Sequence, residues 1–420
     1  MALWLVWAAF CRLEAQQPLT LAEAHDMALR THPQISSSSF TAQALREVVR
    51  EVRSSLQPNV TGSVTGVGAD PGSRIAAGAL NNPVLYNRLG TGITVTQLVS
   101  DFGRTGELVA SAKLRADAAD QNIEAVRAGV LLRVDRAYFS VLRAQSVLKV
   151  AEQTVAARQL IVDQVSALVA SKLKSNLDLS FANVNLADAK LLLVSAGNDV
   201  SASSAELATT LGSPEIRSFA LTEQPMPEGL EDGLEALIQE GIQKRPELAS
   251  LRLEENAAQR FARAERALQF PTVSAIGAAG FAPVASKAVP GTYGGLGVNL
   301  NIPLFNGGLF SARRTEAELR ARAVGQNVKD IENSVARDIR VAFLNARTAF
   351  ERVALTQQLR QQTQLSLDLA QSRYDLGLGS IIELSQAQLN VTAAQIAGSS
   401  AKYDYQTQRS VLAYQIGALR

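Results

Sequence analysis

The chain is written twice, and this duplication restricts its fold more than any other feature of its 420 residues. THPQI (31–35) and KRPEL (244–248) place Pro33 and Pro246 213 positions apart. SSLQPNVTGSVTG (54–66) and RALQFPTVSAIGAAG (266–280) place Pro58 and Pro271 at the same offset. Further on the offset becomes 205 and stays there. DQNIEAV (120–126) falls on GQNVKDI (325–331), VDRAYFSVLRA (134–144) on IRVAFLNARTA (339–349), DLSFANVN (178–185) on ELSQAQLN (383–390), and TLG (210–212) on QIG (415–417). A register held from about residue 90 to 212 marks an internal repeat, since chance matches would not keep it that long.

Each copy opens with a helical pattern, about 20–55 and 231–268, which a following proline stops. Thr20-x-x-Glu23 is a capping-box pattern for the first. Two glycine-rich strands follow, about 59–68 and 91–99 in the first copy and about 272–282 and 293–302 in the second. Val60, Val64, Ile93 and Val95 alternate with Thr61, Ser63, Thr94 and Thr96, the period of two expected of strands. About ten residues per strand, apolar on one side and small and polar on the other, suit a membrane barrel. A soluble hairpin with one buried face looks the same locally, so both readings stay open at this level. Four strands cannot close a barrel, and open edges are not tolerated in lipid, so the membrane reading demands oligomerisation. The loop 69–90 joins the first strand pair and the shorter loop 282–295 the second, which accounts for the change of offset.

Long helices complete each copy. No proline occurs between Pro83 and Pro214 or after Phe305. A helix over about 105–170 would reach on the order of 100 Å at 1.5 Å per residue. Leu131, Val134, Tyr138, Val141, Leu148 and Val155 form its apolar seam, repeated as Ile339, Phe343, Ala346, Phe350 and Val353. A return helix over about 177–211, with Val184, Ala187, Leu191 and Val194 as its seam, has its partner at about 382–416.

Composition excludes several functions. The net charge of +2 points to neither nucleic acid nor an anionic surface. Cys11 is the only cysteine, and His25 and His32 are the only histidines, too few for a converging metal or catalytic cluster. No cofactor, metal or enzymatic activity is expected. Residues 1–15 read as a secretory signal cut after Ala15, with lipidation at Cys11 as the rival. Beyond Cys11 no apolar run has transmembrane length, so any membrane crossing falls to strands.

The two long helices of each copy turn at equivalent places, SKLKS (171–175) and LGLGS (376–380). Ser175-x-x-Asp178 and Ser380-x-x-Glu383 both read as capping boxes that start the return helices. Gly377 and Gly379 permit a tight turn in the second copy; the first copy has no glycine there.

This plan of helix, two strands and long helical hairpin, present twice, resembles the TolC outer-membrane factor family over essentially the whole chain. NIPLFNGG (301–308) is similar to that family's strand-to-helix motif, and YDLGLGSIIEL (374–384) to its periplasmic-tip motif. The resemblance implies an α+β membrane protein: a long α-helical coiled-coil tunnel in the periplasm and a transmembrane β-barrel shared by a trimer, four strands per chain. It implies a passive channel for efflux or type I secretion in the outer membrane of Gram-negative bacteria. Its partners would be a periplasmic adaptor, an inner-membrane pump of RND or ABC type, and outer-membrane lipid. Carried over by position, Leu376, Gly377, Leu378, Gly379 and Ser380 match the docking tip, with Lys172, Leu173 and Ser175 as the first-copy tip. Tyr374, Asp178, Glu383 and Gln386 match positions at the tunnel gate, and Gln386 stands where some members carry an aspartate. Asp178 and Glu383 remain readable as simple helix caps, and Tyr374 as packing. The repeats would run over 16–225 and 226–420. A periplasmic coiled-coil adaptor without a pore is the alternative, disfavoured by the duplication and by the strand pairs.

Overall fold

The structure is a computed structural model and describes residues 18–68, 70, 88–212, 220–230, 233–283 and 291–419. The expected signal segment with Cys11, and most of the loops 69–90 and 282–295, lie outside the described residues. In chain order come α1 (Leu21–Thr31), α2 (Pro33–Ser54), β1 (Asn59–Val67), β2 (Arg88–Ser100), α3 (Arg104–Ala170), α4 (Asn176–Thr210), α5 (Leu234–Lys244), α6 (Pro246–Arg266), β3 (Thr272–Phe281), β4 (Thr292–Asn301), α7 (Leu309–Asp375) and α8 (Ile381–Gln415). The chain forms two compact units, Met1–Ser37 with Glu124–Arg245 and Asn333–Arg420, and Ser38–Ile123 with Pro246–Glu332. Each unit draws segments from both copies.

The opening helix of each copy differs from expectation. Instead of one helix over 20–55, α1 stops at His32 and α2 starts on Pro33; instead of one over 231–268, α5 stops at Arg245 and α6 starts on Pro246. The residue before a proline is driven out of the helical region, and proline itself is favoured at the first helical position. His32 (ψ 121°) and Arg245 (ψ 121°) are accordingly extended. The Thr20–Glu23 capping box forms as expected.

In the first-named unit the duplication becomes a duplicated core. Val134, Ala137, Tyr138 and Leu207 pack with Ala24 and Ala28 of α1. Ile339, Ala342, Phe343 and Leu412, each 205 residues on, pack with Ile238 of α5. The connection between the copies is tied down by tyrosines from both. The Tyr138 hydroxyl donates to the Thr222 carbonyl at 2.7 Å, that of Tyr403 to Glu223 at 3.0 Å and that of Tyr405 to the Glu228 carbonyl at 2.6 Å. Leu19 and Leu221 form a parallel bridge beside them.

The α4 seam needs correction. Val184, Ala187, Leu191 and Val194 face away from their own chain; the buried stripe is Ala182, Leu186, Ala189 and Ala196. Small residues let α4 approach its own chain closely, and the larger apolar stripe is left uncovered. Leu191 is 67% and Val194 72% exposed. On α7, Leu355, Leu359 and Leu369 are exposed in the same way, and Phe350 of the expected seam is only partly covered.

In the second-named unit the strands form one antiparallel sheet in the order β1-β2-β3-β4, so the β2–β3 pair joins the two copies. The register separates two faces. One carries Val60, Val64, Ile93, Val95, Leu296 and Val298; the other carries Thr61, Ser63, Thr94, Thr96, Asn299 and Asn301. The apolar face has no cover within the chain, Leu296 being 95% exposed. β1 and β4 each keep one edge unpaired within the chain. No helix among the described residues is long and apolar enough to cross a membrane.

Candidate functional site at the hairpin tips

The two hairpins turn on the same five-residue geometry. Leu173 N–H donates to the Leu168 carbonyl at 2.8 Å, and Leu378 N–H to the Arg373 carbonyl at 2.8 Å. Lys172 N–H donates to Val169 at 2.9 Å, and Gly377 N–H to Tyr374 at 3.0 Å. A six-to-one bond of this kind closes a helix through one residue in the left-handed region. That residue is Gly377 (φ 72°) in the second copy and Lys172 (φ 61°) in the first. A side chain bearing a Cβ costs roughly 1–2 kcal/mol in that conformation, so the first tip holds the turn under strain that the second avoids.

The return helices start differently as well. Asp178 N–H donates to Ser175 Oγ at 3.2 Å, and Ser175 N–H donates back to the Asp178 carboxylate at 3.0 Å, a complete capping box. The Ser175 backbone and hydroxyl bonds hold the Asp178 carboxyl below its ordinary pKa. Glu383 N–H donates to Ser380 Oγ at 3.1 Å, but the Glu383 carboxylate does not return to the cap. It pairs with Arg373 at 3.2 Å, and the Arg373 guanidinium also donates to the Leu378 carbonyl at 3.2 Å. The expected second capping box is therefore half formed, because a longer acid side chain finds a cation across the turn.

The tips of the two copies pack on each other. Tyr374 lies inside the chain, 6% exposed, among Ile161 and Val165 of α3, Ala182 of α4, and Ile381 and Leu384 of α8. The Lys174 ammonium sits 4.2 Å from its ring centroid. Burial, then the charges of Asp178 and Asp375, pushes the Tyr374 phenol above its ordinary pKa, and its hydroxyl has no hydrogen-bond partner. Gly379, which corresponds to Lys174, has no room to spare: a Cβ there would stand 3.2 Å from Arg373 Cβ and Tyr374 N. Of the residues singled out by sequence, Tyr374 and Asp178 are brought together, and Glu383 joins Arg373. Gln386 stands apart and exposed, donating to Asn390 at 3.0 Å. Leu173, Leu376 and Leu378 project as exposed apolar side chains, and Leu173 and Leu378 occupy the same register in the two copies.

Sequence reasoning missed Arg373 and the partnership of Lys174 with Tyr374. It also missed the contacts between hairpins. Ser146 bonds Ser399 at 2.9 Å, Asn185 bonds Ser385 at 2.8 Å, and the buried Arg158 donates to Gln388. No local signal marked Arg158, which stands among Glu152, Gln153, Gln159 and Asp163 in the sequence.

The arrangement has structural caps, packing and exposed knobs, and holds no nucleophile–base pair at the tips. No group of histidine, cysteine and carboxylate side chains among the described residues could hold a metal.

Comparison with known proteins agrees with this architecture. The sequence profile of the family described as outer membrane efflux protein matches residues 24–213 and again 237–418. The outer membrane protein TolC of Vibrio cholerae serotype O1 is 25% identical, over 95% of this chain and 91% of that protein. A membrane protein from Pseudomonas aeruginosa superimposes with a TM-score of 0.83 at 20% identity, covering 94% of this chain and 90% of that one. The outer membrane protein VceC from Vibrio cholerae superimposes with a TM-score of 0.79 at 18% identity, covering 94% and 96%.

Proposed function

The chain belongs to the outer membrane efflux protein family, and on that premise we propose that three copies assemble into one conduit. It is an outer-membrane channel of an efflux system. In the proposed assembly each chain contributes its four strands to a 12-stranded barrel, apolar face to lipid and polar face to the lumen. The repeats 16–225 and 226–420 each contribute one strand pair and one helical hairpin to the wall.

The observation that carries this reading is the sheet: one uncovered apolar face, one polar face, and an unpaired edge on each side. The apolar face is costly in water and suits lipid, whereas unpaired edges are not tolerated in lipid, and closure removes both edges at once. A head-to-tail contact that closes on itself makes a ring. The uncovered apolar stripes of α4 and α7 fit contacts between neighbouring chains in the same ring.

The tips are where a periplasmic adaptor would dock. Leu173, Leu376 and Leu378 supply the knobs, and Lys172, Ser175, Gly377, Gly379 and Ser380 shape the turns that present them. Tyr374, Asp178, Glu383 and Gln386 would set the gate at the tunnel mouth, Tyr374 and Glu383 by holding the tips to each other and to their own turns. The energy would come from an inner-membrane pump of RND or ABC type, this subunit doing no chemistry. Opening would be a rigid shift of hairpins against each other.

Insertion of the purified protein into planar lipid bilayers tests the reading. Discrete conductance steps of uniform size are expected. Protein that leaves the bilayer silent, although folded in detergent, contradicts it.

A further inference from the structure

One aromatic side chain on the polar face of the sheet has a cradle made for it. Tyr293 of β4, Gly280 of β3, Gly92 of β2 and Ser63 of β1 stand in one row across the four strands. A Cβ at Gly280 would meet the Tyr293 Cζ and hydroxyl oxygen at 2.5 Å, and a Cβ at Gly92 would meet the same hydroxyl. The ring therefore lies down across β3 and reaches β2, and two glycines are what let it do so. One side of the ring covers backbone and the other stays open, leaving the residue 48% exposed.

The four strands contain no aspartate or glutamate, and their one charged residue, Arg88, opens β2 on the same face four residues before Gly92. The same face offers hydroxyls, amides and glycines beside Ala278 and Ile276, and Tyr293 is its only aromatic among the described residues. A flat ring presents the electron-rich face of its π system to whatever passes over it, and that face attracts cations and stacks on planar rings.

We infer that Tyr293 is a contact site for aromatic organic cations travelling through the barrel, one ring per chain. The inference rests on the proposed reading that the polar face lines the lumen. It assigns to the barrel wall a preference for solutes that carry both a positive charge and a flat apolar group, with inorganic cations passing unselected. Gly92 and Gly280 act as positioning residues: they keep the ring flush with the wall, where it is available without obstructing the passage.

Single-channel recordings in planar bilayers test this, with benzyltrimethylammonium as the blocker and potassium as the carrier. In Tyr293→Ser the concentration for half block is expected to rise about two- to fivefold, the range of one exposed cation–π contact. Tyr293→Phe keeps the ring and is expected to block as the unaltered protein does. Gly92→Ala displaces the phenol end of Tyr293 and comes within 3.2 Å of the Ala279 carbonyl, and is expected to lower potassium conductance by standing the ring into the lumen. Equal block in Tyr293→Ser and in the unaltered protein overturns the site, and so does a loss in Tyr293→Phe as large as in Tyr293→Ser. If the unaltered protein forms no conducting pore, the channel reading falls and this site with it. A conducting pore whose block ignores Tyr293 overturns the site alone.

Discussion

The tips of the first and second hairpins have one backbone and two chemistries. Both close with the same pair of turn hydrogen bonds, 205 residues apart. The first does so with Lys172 in a conformation that favours glycine and then completes a capping box; the second uses Gly377 and leaves its cap half made. The turn is thus not a product of the glycine. The helices on either side impose it, and each copy offsets the consequences in its own way. The first tolerates backbone strain beside a fully capped return helix. The second has a relaxed backbone, and its acid is turned outward to Arg373. What the copies share, besides backbone, is the exposed leucine at 173 and 378.

The largest test of that contrast is Tyr374→Ala against Val169→Ala, its counterpart in the first copy. Tyr374 is buried where both hairpins meet, and its loss is expected to cost about 3 kcal/mol, in line with other buried aromatic truncations. Val169 is only partly buried, and its loss is expected to cost about 1 kcal/mol. Native-state hydrogen exchange of the tip amides reads both. Equal costs would mean that the tips do not depend on the second copy's ring.

Substitutions at the left-handed residue should have opposite signs. Gly377→Ala meets no atom, so its cost is conformational, about 1 kcal/mol or somewhat more. Lys172→Gly relieves the same strain and is expected to slow exchange at the Leu173 amide. If both variants destabilise, the strain assigned to Lys172 is not there.

The caps come next. Ser175→Ala removes the hydroxyl that accepts from the Asp178 N–H and donates to its carboxylate, while the Ser175 N–H bond survives, and is expected to cost about 1 kcal/mol, with Ser380→Ala costing less because its acid is committed elsewhere. Fraying of the first turns of α4 and α8, followed by exchange at residues 176–179 and 381–384, ranks them.

The smallest effect is a pH dependence confined to the first tip. The Asp178 pKa is lowered in the folded chain. Its stabilising contribution is therefore complete above the unfolded aspartate pKa of about 3.9 and disappears as pH falls through the lower, folded value. Exchange protection at the start of α4 is expected to weaken in that acid window, and Asp178→Asn to abolish the dependence. Protection at α4 that ignores pH in the unaltered protein would mean that the Asp178 carboxylate does not stabilise the start of α4.

Much of this fold was legible because it is periodic. The return helix expected over 177–211 is Asn176–Thr210, and the strand pairs fall within a few residues of their expected bounds. Side-chain period and an in-register repeat carry that information locally. Periodicity says that Val184, Leu191 and Val194 share a face, but not which chain covers it, and there the seam was misplaced. The breaks at His32 and Arg245 were missed although Pro33 and Pro246 were in view, since a proline at the first turn of a helix is compatible with continuing helical pattern. The tip contacts were illegible for a different reason. Lys174 meets Tyr374 through the packing of long helices whose relative rotation no local pattern encodes, and Glu383 meets Arg373 across a turn where cap and ion pair compete for the same acid. The tyrosines that hold the connection between the copies depend in the same way on packing between α3, α8 and a segment without regular structure.

In the proposed assembly the sheet edges and the apolar stripes of α4 and α7 are covered by two further copies of this chain. Its most direct test is the mass of the protein extracted from outer membranes in mild detergent, by light scattering with bound detergent subtracted. Three chains per particle, unchanged on dilution, are expected. A monomer with native secondary structure in that fraction would contradict it.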